Sequence, residues 1–339
     1  MQAAQGTVTR AASKHTELRA FGLGLIAEAP LPGAWAQRPL AEPVLQLRPA
    51  SATEIAERWS GLDEIGWEGT IDGAPFVVER GRAGDHRFVH GEPPGRHGAR
   101  PARASRAVHH LCADATELLC GADVDGEPLR WRAILDSVLF SAALLRGYEA
   151  LHAGAVATEK GAIAITAGAG AGKSTLLVEL LRGGCPLLCD DVVVLESRGE
   201  DAPLAHPGPP LMTVPAGTDP LPGAPIASVG EERWVAVPAY PQAIPLAALI
   251  VLNRRPGLAT SLHRVRDPLV TLIGSLLRFP RISERERARF EMAGAIASHV
   301  PIWELSADPS IAPGTLAGLL QAELIDPSGT PGRSRAAVA

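Results

Sequence analysis

Lysine is nearly absent from this chain of 339 residues: it supplies three of the 32 Lys and Arg side chains, Lys14, Lys160 and Lys173. No stretch reaches 18 consecutive apolar residues, so no transmembrane helix is expected. The opening MQAAQGTVTRAASKHTELRA lacks a signal-peptide hydrophobic region and reads as a polar leader. A cytoplasmic location with no membrane partner follows as an expectation. The formal net charge is −5, without the basic excess that nucleic acid would ask for. The four cysteines (Cys112, Cys120, Cys185, Cys189) fit no zinc or Cys-x-x-Cys spacing. Three of them sit in apolar runs, which predicts buried free thiols. Hydrophobic content, at 46%, is that of a globular protein, and the length allows two domains.

One of the three lysines stands where chemistry would want it. Residues 161–191 read GAIAITAGAGAGKSTLLVELLRGGCPLLCDD. An apolar run, Ala162 to Thr166, leads into a glycine-alternating loop and then a helical apolar pattern. Strand, glycine-rich turn and helix N-terminus are the context of a phosphate-binding P-loop. The cradle would be Gly168, Ala169, Gly170, Ala171, Gly172, Lys173, Ser174 and Thr175. Its backbone N–H groups and helix dipole face an anion. Lys173 would reach the β/γ-phosphates of ATP, and the Ser174 hydroxyl would sit on Mg²⁺. The motif asks for glycine five positions before Gly172, and Ala167 stands there. That residue must therefore avoid the left-handed region.

Around this unit the chain divides into a leader (1–16), a β-rich N-terminal domain (17–127), a nucleotide domain (128–325) and a tail (326–339). In the first third, 20–29, 69–71, 76–79, 87–90 and 109–119 read as strands separated by Gly/Pro/Asp clusters. The Pro/Gly/Arg-rich stretch 91–106 reads as a loop. Residues 128–146 carry Ile134, Val138, Leu139, Ala142 and Leu145 on one helical face. Past the P-loop, a helix over 174–182 ends at Gly183-Gly184. Apolar runs follow at 186–189 and 192–195, then a Pro-rich stretch, 201–225, read as loop. Residues 233–238 and 246–254 read as strands, and 284–299 as an amphipathic helix.

Phosphoryl transfer needs a metal ligand and a group that orients or deprotonates the acceptor. Asp190 and Asp191 lie seventeen and eighteen residues after Lys173, at the end of an apolar run. Parallel strands of one unit bring their ends to the same sheet edge. Alternation along a strand would point one carboxylate at Mg²⁺ and the other at the acceptor. A strand-end turn is the plainer alternative. His152 stands in a small apolar run; a lone histidine is more often structural than catalytic.

The array Gly147, His152, P-loop and Asp190-Asp191 resembles the HPr serine kinase/phosphorylase family, in particular an HPr-kinase-related branch found with peptide natural-product pathways. The resemblance covers about 128–320, and AFGLGLIAEAPLPG near the start is similar to the opening of that branch. It implies an α/β fold with a P-loop kinase core of the HPr kinase/PEP carboxykinase type. It also implies ATP and Mg²⁺, catalytic roles for His152, Lys173, Asp190 and Asp191, and metal contacts from Ser174, Asp190 and Asp191. The implied partner is a peptide or protein with an acceptor serine; a homo-oligomer is compatible. No segment is similar to the family's Glu-Val-Arg-Gly-Leu-Gly, so neither HPr as substrate nor reverse phosphorolysis is expected. Recognition of a peptide would fall to the N-terminal region or to 201–225. A small-molecule alcohol kinase and a non-catalytic nucleotide regulator stand as alternatives. A Leu-Ser-Gly-Gly segment and an Asn-Lys-x-Asp motif are missing, since Asn253 is followed by Arg254-Arg255, which argues against an ABC ATPase and a GTPase.

Overall fold

The computed structural model describes residues 16–33, 35, 42–71, 74–91, 107–121, 131, 134–218, 221, 223–229, 232–277 and 285–325. The expected tail, most of the leader and the loop from residue 92 to 106 lie outside the described residues. Thr16, assigned to the leader, begins a strand.

The first sheet has eight strands. A hairpin, β1 (Thr16–Ala20) and β2 (Leu23–Ala27), is followed by β3 (Val44–Ala50) and a short helix, α1 (Ala52–Arg58). Then come β4 (Leu62–Ile71), β5 (Ala74–Gly81), β6 (His86–His90), β7 (Ala107–Leu111) and β8 (Glu117–Gly121). The spatial order is β1-β2-β3-β8-β7-β6-β5-β4. Only the β2–β3 and β3–β8 pairs are parallel. Two expectations are corrected here. Residues 20–29 are not one strand, because the chain reverses at Phe21-Gly22, both at positive φ (56° and 79°). Apolar residues run straight through that turn and hide it. Residues 109–119 are likewise two strands. Asp114 makes the turn between them by accepting from the Thr116 N–H and hydroxyl at 3.2 and 2.8 Å, a local bond that competes with the ladder.

The remainder opens with a π-helical turn (Ile134–Val138) running into α2 (Leu139–Leu145). Next come β9 (Glu149–His152), β10 (Gly154–Thr158), β11 (Gly161–Ala167), α3 (Lys173–Arg182), β12 (Leu187–Cys189) and β13 (Val192–Arg198). Four more strands follow: β14 (Asp201–His206), β15 (Leu211–Pro215), β16 (Ala224–Val229) and β17 (Glu232–Ala236). The end of the chain adds β18 (Ile244–Arg254), β19 (Ser261–Arg264), α4 (Pro268–Ser275), α5 (Glu286–His299), β20 (Ile302–Ala307) and α6 (Pro313–Leu320). The main sheet runs β12-β10-β11-β18-β14-β13-β9, with β20 beside β18 and β19 beside β20. A separate small sheet runs β15-β17-β16. The Pro-rich stretch 201–225 is therefore largely strand, not loop. Its prolines punctuate: Pro207, Pro209 and Pro210 join β14 to β15, and Pro215 ends β15. That leaves Leu211–Val214 free to pair.

Strand β11 shows how the sheet is covered on both faces. Ile163 and Ile165 pack with Leu176 and Leu180 of α3 and Leu316 and Leu320 of α6. Ala162 and Ala164 pack with Leu272 of α4 and Met292 and Ile296 of α5. Helix α2 is buried along most of its length, with Leu139, Phe140, Ala142 and Leu144 each at most 3% exposed and its one polar side chain, Ser141, satisfied by donating to the Ser137 carbonyl at 2.7 Å. It shares one core with Leu25, Leu47 and Phe88 of the first sheet and Val192 and Val194 of the second. The first sheet thus shares a core with the second, and deleting residues 1–127 would expose this core. Its role has to be tested by point substitution. Among the described residues no helix is long and apolar enough to cross a membrane. Cys120, Cys185 and Cys189 are buried free thiols, and burial pushes Cys120 up to about 12.

Two histidines sealed in the first sheet make stability depend on pH. His86 is 1% exposed and His109 fully buried. Burial, aided by Arg80 at His86 and by His90 at His109, pushes each down to about 4 from 6.5. Between those values the unfolded chain binds protons that the folded chain refuses, so stability is full above pH 6.5 and falls as pH drops towards 4. From pH 7 to pH 5 each histidine should cost about 2 kcal/mol. Urea unfolding at the two pH values checks this. His86→Leu should remove about half of the combined loss; an unchanged loss would contradict it.

Candidate active site

Three strands deliver the site to one edge of the main sheet. β10 runs antiparallel to both β11 and β12 and lies between them. β11 and β12 therefore run parallel without touching, and their C-terminal ends lie level with the start of β10. Register makes this concrete: Gly154 stands opposite Ile165, and Ala155 opposite Cys189. Residues that follow β11 and β12, and residues that precede β10, converge there. The loop 168–172, Asp190-Asp191 and His152 occupy those positions. The sequence alone foresaw the shared edge but not the antiparallel strand between.

The substitution at Ala167 is accommodated by position. Ala167 is the last residue of β11, paired with Leu252 of β18, and so lies in extended backbone. The left-handed positions of the loop fall on Gly170 (φ 73°) and Gly172 (φ 93°), where glycine carries no Cβ penalty. Gly172 caps α3 without any side-chain hydrogen bond to the helix N-terminus. The first turn therefore has no side-chain cap competing for its N–H groups, as an anion site would require. Arg254, at the end of β18, packs close against the loop at Gly172. Its Nη2 donates to the Pro309 and Ile311 carbonyls at 2.6 and 2.7 Å, and its Nη1 lies 3.2 Å from where a Cβ on Gly172 would stand.

Two cavities adjoin here. The first, about 360 Å³, is lined by the loop from Ala167 to Thr175, with His152 beside it. The second, about 170 Å³, contains both Asp190 and Asp191. Ser174, Asp191, Thr213 and Glu232 border both cavities, and Lys173 borders only the first. Lys173 is 9% exposed, and its ammonium is ion-paired with the Asp191 carboxylate. Asp190 accepts a hydrogen bond from the Thr213 N–H at 3.0 Å, which ties it to the small sheet. The two carboxylates do part ways, but not by strand alternation. β12 ends at Cys189, and Asp191 has φ 83°; this left-handed kink turns its side chain towards Lys173.

His152 closes β9, opposite Val192. Its carbonyl accepts from the Thr166 hydroxyl at 2.9 Å. Desolvation lowers its pKa, the Lys173 charge lowers it further, and Asp191 offsets part of this. These effects favour the neutral imidazole, although His152 lies exposed at the strand end. It borders the loop cavity and not the Asp190 cavity.

The structure also brings in residues that the sequence did not point to. Thr213 and Glu232 come from the small sheet, inside or just beyond the stretch read as loop. Phe21 and Trp234 wall the smaller cavity. The apolar run Leu211–Val214 was the available sign for Thr213; nothing local marks Phe21 or Glu232. Among the described residues no group of three or more His, Cys, Asp or Glu is arranged to hold a metal ion.

No protein-family model matches the chain, and no curated protein matches it. One solved structure similar to it is the HPr(Ser) kinase/phosphatase of Coxiella burnetii, at 16% identity and a TM-score of 0.31. The likeness covers 53% of this chain and 99% of that one, and at that level it assigns no function here.

Proposed function

We propose that this protein is an ATP-dependent kinase that passes the γ-phosphoryl group to a hydroxyl, most naturally a serine of a peptide or protein. One observation carries the reading: a glycine-rich loop holding a lysine and a serine adjoins a small cavity lined by three carboxylates, Asp190, Asp191 and Glu232. In this reading residues 168–175 are a P-loop. Lys173 leaves Asp191 for the β/γ-phosphate oxygens, and His152 donates a hydrogen bond to a phosphate oxygen while neutral. Ser174 and Asp191, bordering both cavities, are the residues to hold Mg²⁺. One hydroxyl and one carboxylate fit an ion that keeps several waters and takes the rest of its shell from phosphates. When bound, the ion supplies charge neutralisation on the transferring group. Asp190, confined to the smaller cavity, faces the acceptor. The acceptor oxygen bonds to the γ-phosphorus as the bond from that phosphorus to the β-phosphate bridging oxygen breaks. ADP leaves, and the hydroxyl proton passes to the Asp190 carboxylate.

The β-rich region 17–127 and the kinase region 128–325 act together in this account, and a cytoplasmic setting would supply the ATP. The test is an acceptor panel with ATP and Mg²⁺: serine peptides, HPr protein and small alcohols, each read by mass for an added phosphate. Serine peptides should gain it, with no efficient reversal by inorganic phosphate. Faster phosphorylation of HPr or of a small alcohol would replace the acceptor. ATP binding with no transfer to any of them would favour a nucleotide regulator.

A further inference from the structure

Among the described residues three non-glycine residues have positive φ: Phe21, Ala115 and Asp191. Two of the three, Phe21 and Asp191, border the same cavity of about 170 Å³. They come from different sheets, one from the β1–β2 turn and one from the end of β12. Backbone strain that clusters at one cavity points to a demand on what the cavity does.

Phe21 is an unexpected residue for its place. Ala20 pairs with Leu23, so Phe21-Gly22 is a two-residue hairpin loop with both φ values positive. Such loops favour Asn or Asp before Gly, and a bulky side chain there is disfavoured. The turn is nonetheless held firmly. The Phe21 N–H donates to the Pro207 carbonyl at 2.7 Å, and the Tyr148 hydroxyl reaches the Gly22 carbonyl at 3.4 Å. The Phe21 ring is 1% exposed and lies against Gly208, where a Cβ would meet its Cε1 at 3.1 Å. It borders the cavity together with Pro209, Leu211 and Trp234 and with Asp190 and Asp191. A cavity of about 150 Å³ holds a benzene-sized group, so this one, at about 170 Å³, admits a single side chain and leaves little room beyond a ring.

We propose that Phe21 sets the size of the acceptor slot, and that the first sheet is thereby a specificity element of the active site. This rests on the kinase reading above and deepens it: the group phosphorylated is a compact hydroxyl side chain, entered singly, with serine and threonine, which leave room to spare, preferred over tyrosine, which would fill the slot. Phe21 is a specificity determinant in this account and carries no proton or charge.

The test compares wild type, Phe21→Leu and Phe21→Ala on peptides identical except for Ser, Thr or Tyr at one position, by kcat/KM. MgATP affinity and thermal unfolding are measured alongside. Phe21→Ala should shrink the Ser-to-Tyr preference at least about tenfold, the scale on which pocket volume discriminates, with MgATP affinity within about threefold. Phe21→Leu should shift the preference in the same direction by less, and it carries the test if the alanine variant fails to fold. Preferences that stay fixed in the folded variants overturn the proposal. So does an equal loss on all acceptors accompanied by weaker MgATP binding, which would make Phe21 structural. If wild type transfers phosphate to no acceptor at all, the kinase reading fails and this proposal falls with it. Transfer that is blind to acceptor size overturns this proposal alone.

Discussion

Lys173→Ala is expected to abolish phosphoryl transfer while leaving a folded protein. The ammonium stands at the first turn of α3, 9% exposed, at the border of the loop cavity. A point charge placed there acts on charge that develops during transfer, in a site shielded from water. Losing it should cost about 3–4 kcal/mol of barrier, a rate loss of about 10²–10³. The fold should survive because the carboxylate left behind, Asp191, is 57% exposed and stays hydrated, so no uncompensated charge is left buried. Turnover with the best acceptor and a thermal melt of the same preparation check both halves. More than about a tenth of wild-type turnover would remove Lys173 from the mechanism.

The second large effect is a split between neighbours. Asp190→Asn should lower kcat by about 10²–10⁴, the usual worth of a positioned base, with MgATP affinity within about threefold. The asparagine oxygen can still accept from the Thr213 N–H, so the small sheet should stay in place. Asp191→Asn should instead weaken MgATP binding at least about tenfold and raise the Mg²⁺ concentration needed for activity. Asparagine tolerates the left-handed backbone that Asp191 adopts, which keeps the substitution free of conformational cost. Calorimetric MgATP titrations beside turnover separate the two. A reversed pattern would exchange the roles, and two unimpaired variants would make the pair structural.

The parts of the site that were legible in the sequence are those written within one short stretch. Strand β11, the loop, Lys173, Ser174 and the Asp pair fall between residues 161 and 191, and local periodicity and glycine spacing are enough to find them. The buried thiols and helix α3 were legible for the same reason. The walls of the smaller cavity were not, because they come from three separate places: the β1–β2 turn, β15 and β17. Phe21 was hidden by an apolar run that crosses a turn without the Asn-Gly or Asp-Gly such a turn usually carries. β15 was hidden by prolines, whose count weighed against strand although they flank it. The two carboxylates were separated by a single φ angle at Asp191, which no periodicity rule encodes.

The most direct test of the central claim follows one atom. Protein, Mg²⁺ and ATP labelled at the γ-phosphorus are incubated with a pool of serine peptides, and the label is traced. The account predicts label on a serine oxygen, one ADP formed for each phosphoserine, and none of this with Lys173→Ala. Label found only in inorganic phosphate, or ATP recovered intact although bound, would contradict it.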